Sequence, residues 1–371
     1  MRTTQPARTD RSWVQRHIRV SSKLHSRIKG EDKVQFFEQL TTLFAAGTPL
    51  LEALRISAQQ SPSEKMQGVI RAIGDRVAGG LSLHNAAADF PKIFDRQWIE
   101  VIKTGELSGR LGEVLETLSG HIVAAREMRS KLISSMIYPC ILLVVATLAI
   151  VVMLWKVVPT FADFFAEFGS TLPAVTQTVI NMSDFLTSNG LLLLVGVVVF
   201  IVGVRSYLHT DRGKRAYDQL ILTAPFVGRC VVQGYMVKFA TNMVLLLRSG
   251  LPLLESIGSL QGVFHSNTVY REALRSIEQR VAAGEALASA LAESGLFTSM
   301  VISMVRVGEE SGELAHVLEK VGLYYRKRVE ALVERLTSTI EPVVILVMGI
   351  AVAVILTSIY LPMFQMASGP R

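Results

Sequence analysis

The sequence predicts an all-α membrane protein: two tandem homologous cytoplasmic helical bundles of about six helices each, and three transmembrane helices. Three observations carry this. Half of the 371 residues are apolar and only 19% are charged, with a mean hydropathy of +0.39, high for a soluble chain. Three uncharged apolar runs approach or reach the roughly 20 residues that a membrane-spanning helix needs. A set of landmarks also recurs at one fixed offset along the chain. Composition alone excludes disorder, collagen-like repetition and a disulfide scaffold.

The spans come first. They are expected at 136–158, 188–208 and 343–362, where Met136–Trp155, Gly190–Val204 and Val343–Leu361 contain no charged side chain. Between Val157 and Val204 there is no Lys or Arg, whereas Arg126, Arg129 and Lys131 precede the first span and Arg205, Arg212, Lys214 and Arg215 follow the second. The positive-inside rule then puts the N-terminus and 209–342 in the cytoplasm, with the loop 159–187 and the tail 363–371 outside. Lys156, at the outer end of a span, can snorkel to the interface. The basic N-terminus is followed by no apolar run within 30 residues, so no secretory signal peptide is expected.

The second element is a duplication. Gly47-Thr48-Pro49-Leu50-Leu51-Glu52 returns as Gly250-Leu251-Pro252-Leu253-Leu254-Glu255, and Gly105-Glu106-Leu107-Ser108-Gly109 as Gly308-Glu309-Glu310-Ser311-Gly312, both 203 residues on. From Gly105 to Glu116, eight of twelve positions are identical at that offset. Pro139 pairs with Pro342 and Pro159 with Pro362; one position slips locally, where Val77 pairs with Val281. Each repeat is a bundle, 33–135 or 209–342, followed by a span. The unmatched second span returns the chain to its starting side, so the repeats are parallel.

Within a repeat the breakers set the helices. Phe36, Leu40, Leu43 and Phe44 fall at helical spacing and Gly47 stops that helix. Pro49 suits the first turn of the next, where its missing N–H costs nothing. Ser61-Pro62, Gly79-Gly80 and the Gly105–Gly109 turn delimit the rest, and a last helix runs from near Ser108 toward the membrane. Nothing alternates with the period of a strand.

Catalytic and cofactor chemistry is missing. No GxxxxGK[ST] phosphate loop and no HExxH motif is present, the seven His are scattered, and Cys140 and Cys230 form neither a metal pair nor a disulfide. No catalytic residue, cofactor or metal site is expected, and the chain reads as a non-enzyme. The candidate residues are those of the repeated motifs: Gly47, Pro49, Glu52, Gly105, Glu106, Ser108 and Gly109, with Gly250, Pro252, Glu255, Gly308, Glu309, Ser311 and Gly312. Glycines allow the reversal between helices and Ser can cap the helix that follows. Glu106 and Glu309 either belong to the fold or face a partner or cation, the former favoured. Glu52 and Glu255 suit the positive end of a helix. Pro139 and Pro342, at membrane entry, either permit a bend or mark a tolerated break.

The net charge of +7 sits in residues 1–29 of the N-terminal arm, 1–32. Residues 1–29 hold eight basic side chains against Asp10, and the other 342 residues are balanced. Val14, Ile18, Leu24 and Ile28 at helical spacings fit an amphipathic helix on anionic lipid or a docking segment for an acidic partner; a solvated tail is the alternative. Nucleic acid is not an expected partner, since stacking aromatics are absent apart from Trp13.

The doubled pattern Phe36…Leu43…Gly47-x-Pro49-Leu50-Leu51-Glu52, Gly80-x-x-Leu83, Phe90-Pro91…Phe94, Gly105-Glu106-x-Ser108-Gly109-x-Leu111 resembles the type II secretion F family, which includes the PilC-like platform proteins of type IV pili. Repeat two keeps Leu287 but reads Glu293-Ser294-Gly295-Leu296-Phe297 in place of the Phe-Pro pair. The resemblance covers about residues 33–365. It implies a multi-pass protein of the bacterial inner membrane, its outer loop and tail periplasmic. It also implies a platform that couples a cytoplasmic hexameric ATPase to insertion of pilin or pseudopilin subunits, alongside other inner-membrane assembly proteins and further copies of itself. The competing readings are a transporter or channel, which the uncharged spans disfavour, and a membrane-anchored signalling scaffold.

Overall fold

The computed structural model describes residues 28–167, 173–208, 210–224, 227–265 and 267–368; most of the basic arm lies outside them. Among the described residues every regular element is a helix. The chain divides into two units. One comprises residues up to Met128 together with Val232–Arg326, and the other Arg129–Val231 with Lys327–Arg371.

The first unit holds both bundles. Helix α1 (Gly30–Ala45) begins with Glu31 and Asp32 in its first turn, where carboxylates oppose the helix dipole, and buries Phe36, Phe37 and Leu40. It stops at Gly47, whose φ of +77° suits a residue without Cβ. Helices α2 (Leu50–Gln60), α3 (Glu64–Ala78), α4 (Leu83–Ala88) and α5 (Arg96–Leu107) follow, and α6 (Leu111–Val152) starts the sixth. Helix α3 is capped by the Ser63 hydroxyl, which accepts from the Met66 N–H at 3.4 Å. It buries Met66, Val69, Ile70 and Ile73, the i, i+3, i+4, i+7 stripe of an amphipathic helix.

After α7 (Val158–Glu167), α8 (Ala174–Leu208) and α9 (Asp211–Thr223), the second copy repeats this plan. It runs through α10 (Val227–Arg248), α11 (Leu253–Val263), α12 (Thr268–Ala282), α13 (Leu287–Ser294), α14 (Ser299–Ser311) and α15 (Leu314–Ser368). Each copy thus has the six helices that the breakers predict.

The cores share one ring pair. Phe36 meets Phe94 edge-on at 6.1 Å between ring centres, and the residues 203 positions on, Phe239 and Phe297, meet at 4.9 Å. Around it the copies differ: Phe37 and Trp98 complete the cluster in copy one, while Phe264 and Tyr270 stack at 5.6 Å in copy two. Each buried ring removes enough apolar area from water to contribute about 2–3 kcal/mol.

The second unit contains the apolar parts of α6 and α15, with α7, α8 and α9. Val158, Val179, Ile355 and Ile359 form its buried cluster, with Leu154 and Phe161 packed against them. There the Thr176 hydroxyl donates to the Ser358 carbonyl at 2.8 Å and that of Ser183 to the Leu154 carbonyl, so polar groups on α8 find partners on both neighbouring helices. Elsewhere large apolar side chains point outward, among them Val144, Phe200 and Leu346.

Among the described residues, three helical stretches have the length and composition to cross a membrane: Leu111–Phe164, Gly228–Arg248 and Leu314–Phe364. The number agrees with the sequence expectation, and the first and last contain the predicted segments, but the middle one differs. The apolar window of Gly228–Arg248 is half buried within the protein. Its Met236, Val237, Phe239, Ala240 and Met243 are spent on the bundle core. The expected 188–208 segment lies in α8, where Leu192, Val199, Phe200 and Ile201 are exposed.

Candidate functional site

The repeated Gly-Glu-x-Ser-Gly turn is where the motif residues converge. Helix α4 begins at Leu83, and the side chain of Ser82 before it makes no capping hydrogen bond to the helix. Instead Glu106, at the end of α5, supplies the acceptor. The Leu83 N–H donates to its Oε1 at 2.5 Å and the His84 N–H to Oε2 at 2.9 Å. The His84 Nδ1 lies 2.5 Å from the same Oε2. Copy two repeats the device: the Leu287 and Ala288 N–H groups donate to Glu309 at 2.6 and 2.8 Å, and Ala286 in the capping position has no acceptor of its own. A carboxylate on two free N–H groups at the positive end of a helix is a charge-assisted cap. Both glutamates therefore face inward onto their own bundle.

The glycines make this approach possible. A Cβ on Gly105 would sit 2.9 Å from Val114 Cβ and 3.2 Å from Leu111 Cα; one on Gly308 would sit 2.9 Å from Leu314 Cα. Gly109 and Gly312 take φ of +70° and +73° to reverse the chain. The serines act differently from each other. Ser108 donates back to the Thr104 carbonyl at 2.7 Å and leaves the next helix alone, correcting the expectation that it caps forward. One residue past the end of α5, its hydroxyl reaches the carbonyl four positions back. Ser311 does accept from a following N–H, that of Glu313, at 3.4 Å.

The earlier turn is also doubled. Gly47 and Gly250 have φ of +77° and +91°. Pro49 and Pro252 precede α2 and α11 with extended ψ of 147° and 149°, one position ahead of the first turn where the sequence puts Pro49. Glu52 pairs with Arg55 at 2.5 Å on an exposed face, and Glu255 is likewise exposed in the first turn of α11.

Pro139 and Pro342 lie inside α6 and α15, which continue through them. Pro159 follows a five-residue π-helical turn, Met153–Val157. Its missing N–H and its ring leave the preceding carbonyls without regular partners, which a widened turn accommodates. Its counterpart Pro362 stays within α15.

Sequence reading missed the junction between the two bundles, whose residues are scattered from Asp95 to Arg326. There His121, on α6, is pushed down to about 4. Burial is the main cause, the Asn242 side chain opposes it, and the Arg326 charge adds to it. Lys238, on α10, donates to the Val263 carbonyl at 2.5 Å and lies over the Phe264 ring. Burial lowers its pKa while the Asp95 charge raises it. Arg248 holds Glu319 through two bonds of 3.1 and 2.7 Å. The α10–α15 contact is close enough that a Cβ on Gly322 would sit 3.2 Å from Thr241 Cγ2. The sequence signal was mostly negative: His121, Lys238, Asn242, Arg248 and Arg326 differ from their counterparts 203 positions away, while Glu319 matches Glu116. Among the described residues no group of three His, Cys, Asp or Glu side chains could hold a metal ion.

The family profile "Type II secretion system (T2SS), protein F" matches residues 36–159 and again 239–362. The boundaries (36 to 239, 159 to 362) both differ by 203, the offset seen in the motifs. The chain is similar to the type IV pilus assembly protein PilC of Pseudomonas aeruginosa, 31% identical over 92% of this chain and 91% of that one. PilC of Thermus thermophilus is 33% identical over 90% and 82% of the two chains. The type II secretion system protein F of Pseudomonas aeruginosa is 32% identical over 91% and 84%.

Proposed function

Because the chain belongs to the type II secretion system protein F family, we propose that it is the inner-membrane platform of a type IV pilus or type II secretion assembly machine. In this reading it couples a cytoplasmic assembly ATPase to insertion of pilin or pseudopilin subunits. The observation that carries the reading is the doubled helix. Both copies end in one helix that continues from bundle residues into apolar sequence, Leu111–Val152 and Leu314–Ser368. Such a helix gives an ATPase acting on the bundle a mechanical path to the bilayer.

The topology follows the charges: both bundles cytoplasmic, the segment without Lys or Arg between Val157 and Val204 crossing to the periplasm and back, and the C-terminus periplasmic. The bonds from Thr176 and Ser183 to the neighbouring helices support α8 as the returning span. Exposed apolar side chains on α15, such as Leu346 and Ile350, suit contact with lipid or with the apolar helix of a pilin.

The test is crosslinking in membranes. A photoreactive residue at Leu346 should capture a pilin, and the full chain should co-purify with a cytoplasmic assembly ATPase. Pro139→Ala with Pro342→Ala, at normal protein levels, should lower pilus or secretion output. Assembly that continues when the chain is deleted would sink the proposal.

A further inference from the structure

A cavity of about 660 Å³ opens at the junction of the two bundles, within the first unit. Copy one contributes the start of α5 and the middle of α6; copy two contributes α10, the end of α11 and Arg326 on α15. Its volume falls in the range of small-molecule sites.

Four buried polar atoms on its lining have no hydrogen-bond partner: Gln97 Oε1, Trp98 Nε1, Asn242 Oδ1 and Arg326 Nε. Gln97, Trp98 and Asn242 are only 7%, 8% and 5% exposed. Leaving one such group unsatisfied costs about 1–3 kcal/mol, and native cores seldom carry several together. Two of the atoms are donors and two are acceptors, so a bare anion answers only half of them. The charge is unbalanced as well: Arg96, Lys238 and Arg326 line the space against Asp95, while His121 is neutral at physiological pH. Ile122, Val237 and Val263 add apolar wall.

We propose that this cavity binds a small organic anion of the nucleotide type, its acidic group at the cationic side chains and its flat, donor- and acceptor-bearing ring at the four orphaned atoms. Nucleobases offer exocyclic amino groups to the Gln97 and Asn242 carbonyl oxygens, and ring nitrogens or carbonyls to the indole and guanidinium N–H groups. Apolar side chains supply what the ring faces require. The inference does not depend on the assembly role, since the site forms inside one chain.

Binding is tested on the full chain in detergent by calorimetry and thermal shift, with AMP, GMP, CMP and UMP as probes and inorganic phosphate and citrate as controls. At least one nucleotide should bind and raise the melting temperature, well above either control. Arg96→Gln, at an exposed position, should weaken it roughly tenfold. Gln97→Leu should abolish the nucleotide-dependent shift without lowering the melting temperature of the free protein, because it removes an acceptor that has no partner. Asn242→Leu should abolish the shift too, but with a lower melting temperature, because it also removes the Nδ2 bond to the Lys238 carbonyl. Equal binding of phosphate and citrate would reduce the site to a cationic patch and overturn the proposal. So would the absence of any shift, which would leave water as the occupant.

Discussion

The two bundles are copies of one plan, and their agreements and differences divide along physical lines. What both keep is what backbone geometry requires: the carboxylate on the free N–H groups of a short helix, the glycine under a crossing helix, the left-handed glycine after it, and one edge-on phenylalanine pair. Much of what they do not share lies at the junction. Gln97, Trp98 and His121 of copy one correspond to Met300, Val301 and Tyr324, and Lys238, Asn242 and Arg326 of copy two to Gln35, Gln39 and Val123. Duplication supplies two scaffolds, and divergence at their meeting surface makes a cavity that neither copy has alone.

The shared ring pair offers the largest test. Phe94→Ala and Phe297→Ala each remove a buried ring and should lower stability by about 3–5 kcal/mol in chemical unfolding of the detergent-solubilised chain. Effects that differ by more than about 1.5 kcal/mol would show that the extra rings of one copy, not the common pair, hold its core. Next come the caps. Glu106→Gln and Glu309→Gln keep the shape but remove the charge and turn one of the two accepting oxygens into an NH2 donor, costing about 2–3 kcal/mol each. The Glu106 variant should be the more damaging, because His84 also leans on that carboxylate while Ala288 stands in its place in copy two.

These effects separate what was legible in the sequence from what was not. The repeat, the six helices of each copy and the first and third apolar helices could be read because glycine, proline and helical spacing act locally. The role of Glu106 could not, since its partners lie 22 and 23 residues away and meet it only after α4 and α5 fold together. Nor could the apolar run of α10 be told from a membrane segment by composition; its neighbours in the bundle decide. Least readable was the junction cavity, whose walls come from both copies and repeat in neither.

The junction is also where the copies should part on acidification. His121 has its pKa lowered to about 4 by burial, against 6.5 when unfolded. Between those values the unfolded chain binds the extra proton, so stability falls as pH drops from 6.5 toward 4 and is unaffected above. From pH 7 to pH 5 this one residue should cost about 2 kcal/mol. Replacing it with Gln should flatten that part of the pH profile; a slope that persists would assign acid sensitivity to other groups. Copy two has Tyr324 at the matching position.

The smallest effect is the sharpest check on equivalence. Gly109 and Gly312 have φ of +70° and +73°, and a Cβ at either would meet no atom within 4 Å. Alanine there adds no clash, so its cost is the intrinsic one of a left-handed residue, about 1 kcal/mol. Gly105 and Gly308 differ, because a Cβ at those positions runs into the facing helix at 2.9 Å. Measured by thermal unfolding, Gly109→Ala and Gly312→Ala should therefore match each other and fall below Gly105→Ala and Gly308→Ala. If Gly109→Ala costs as much as Gly105→Ala, the turn is held by more than its φ, and something outside the bundle packs on it in copy one.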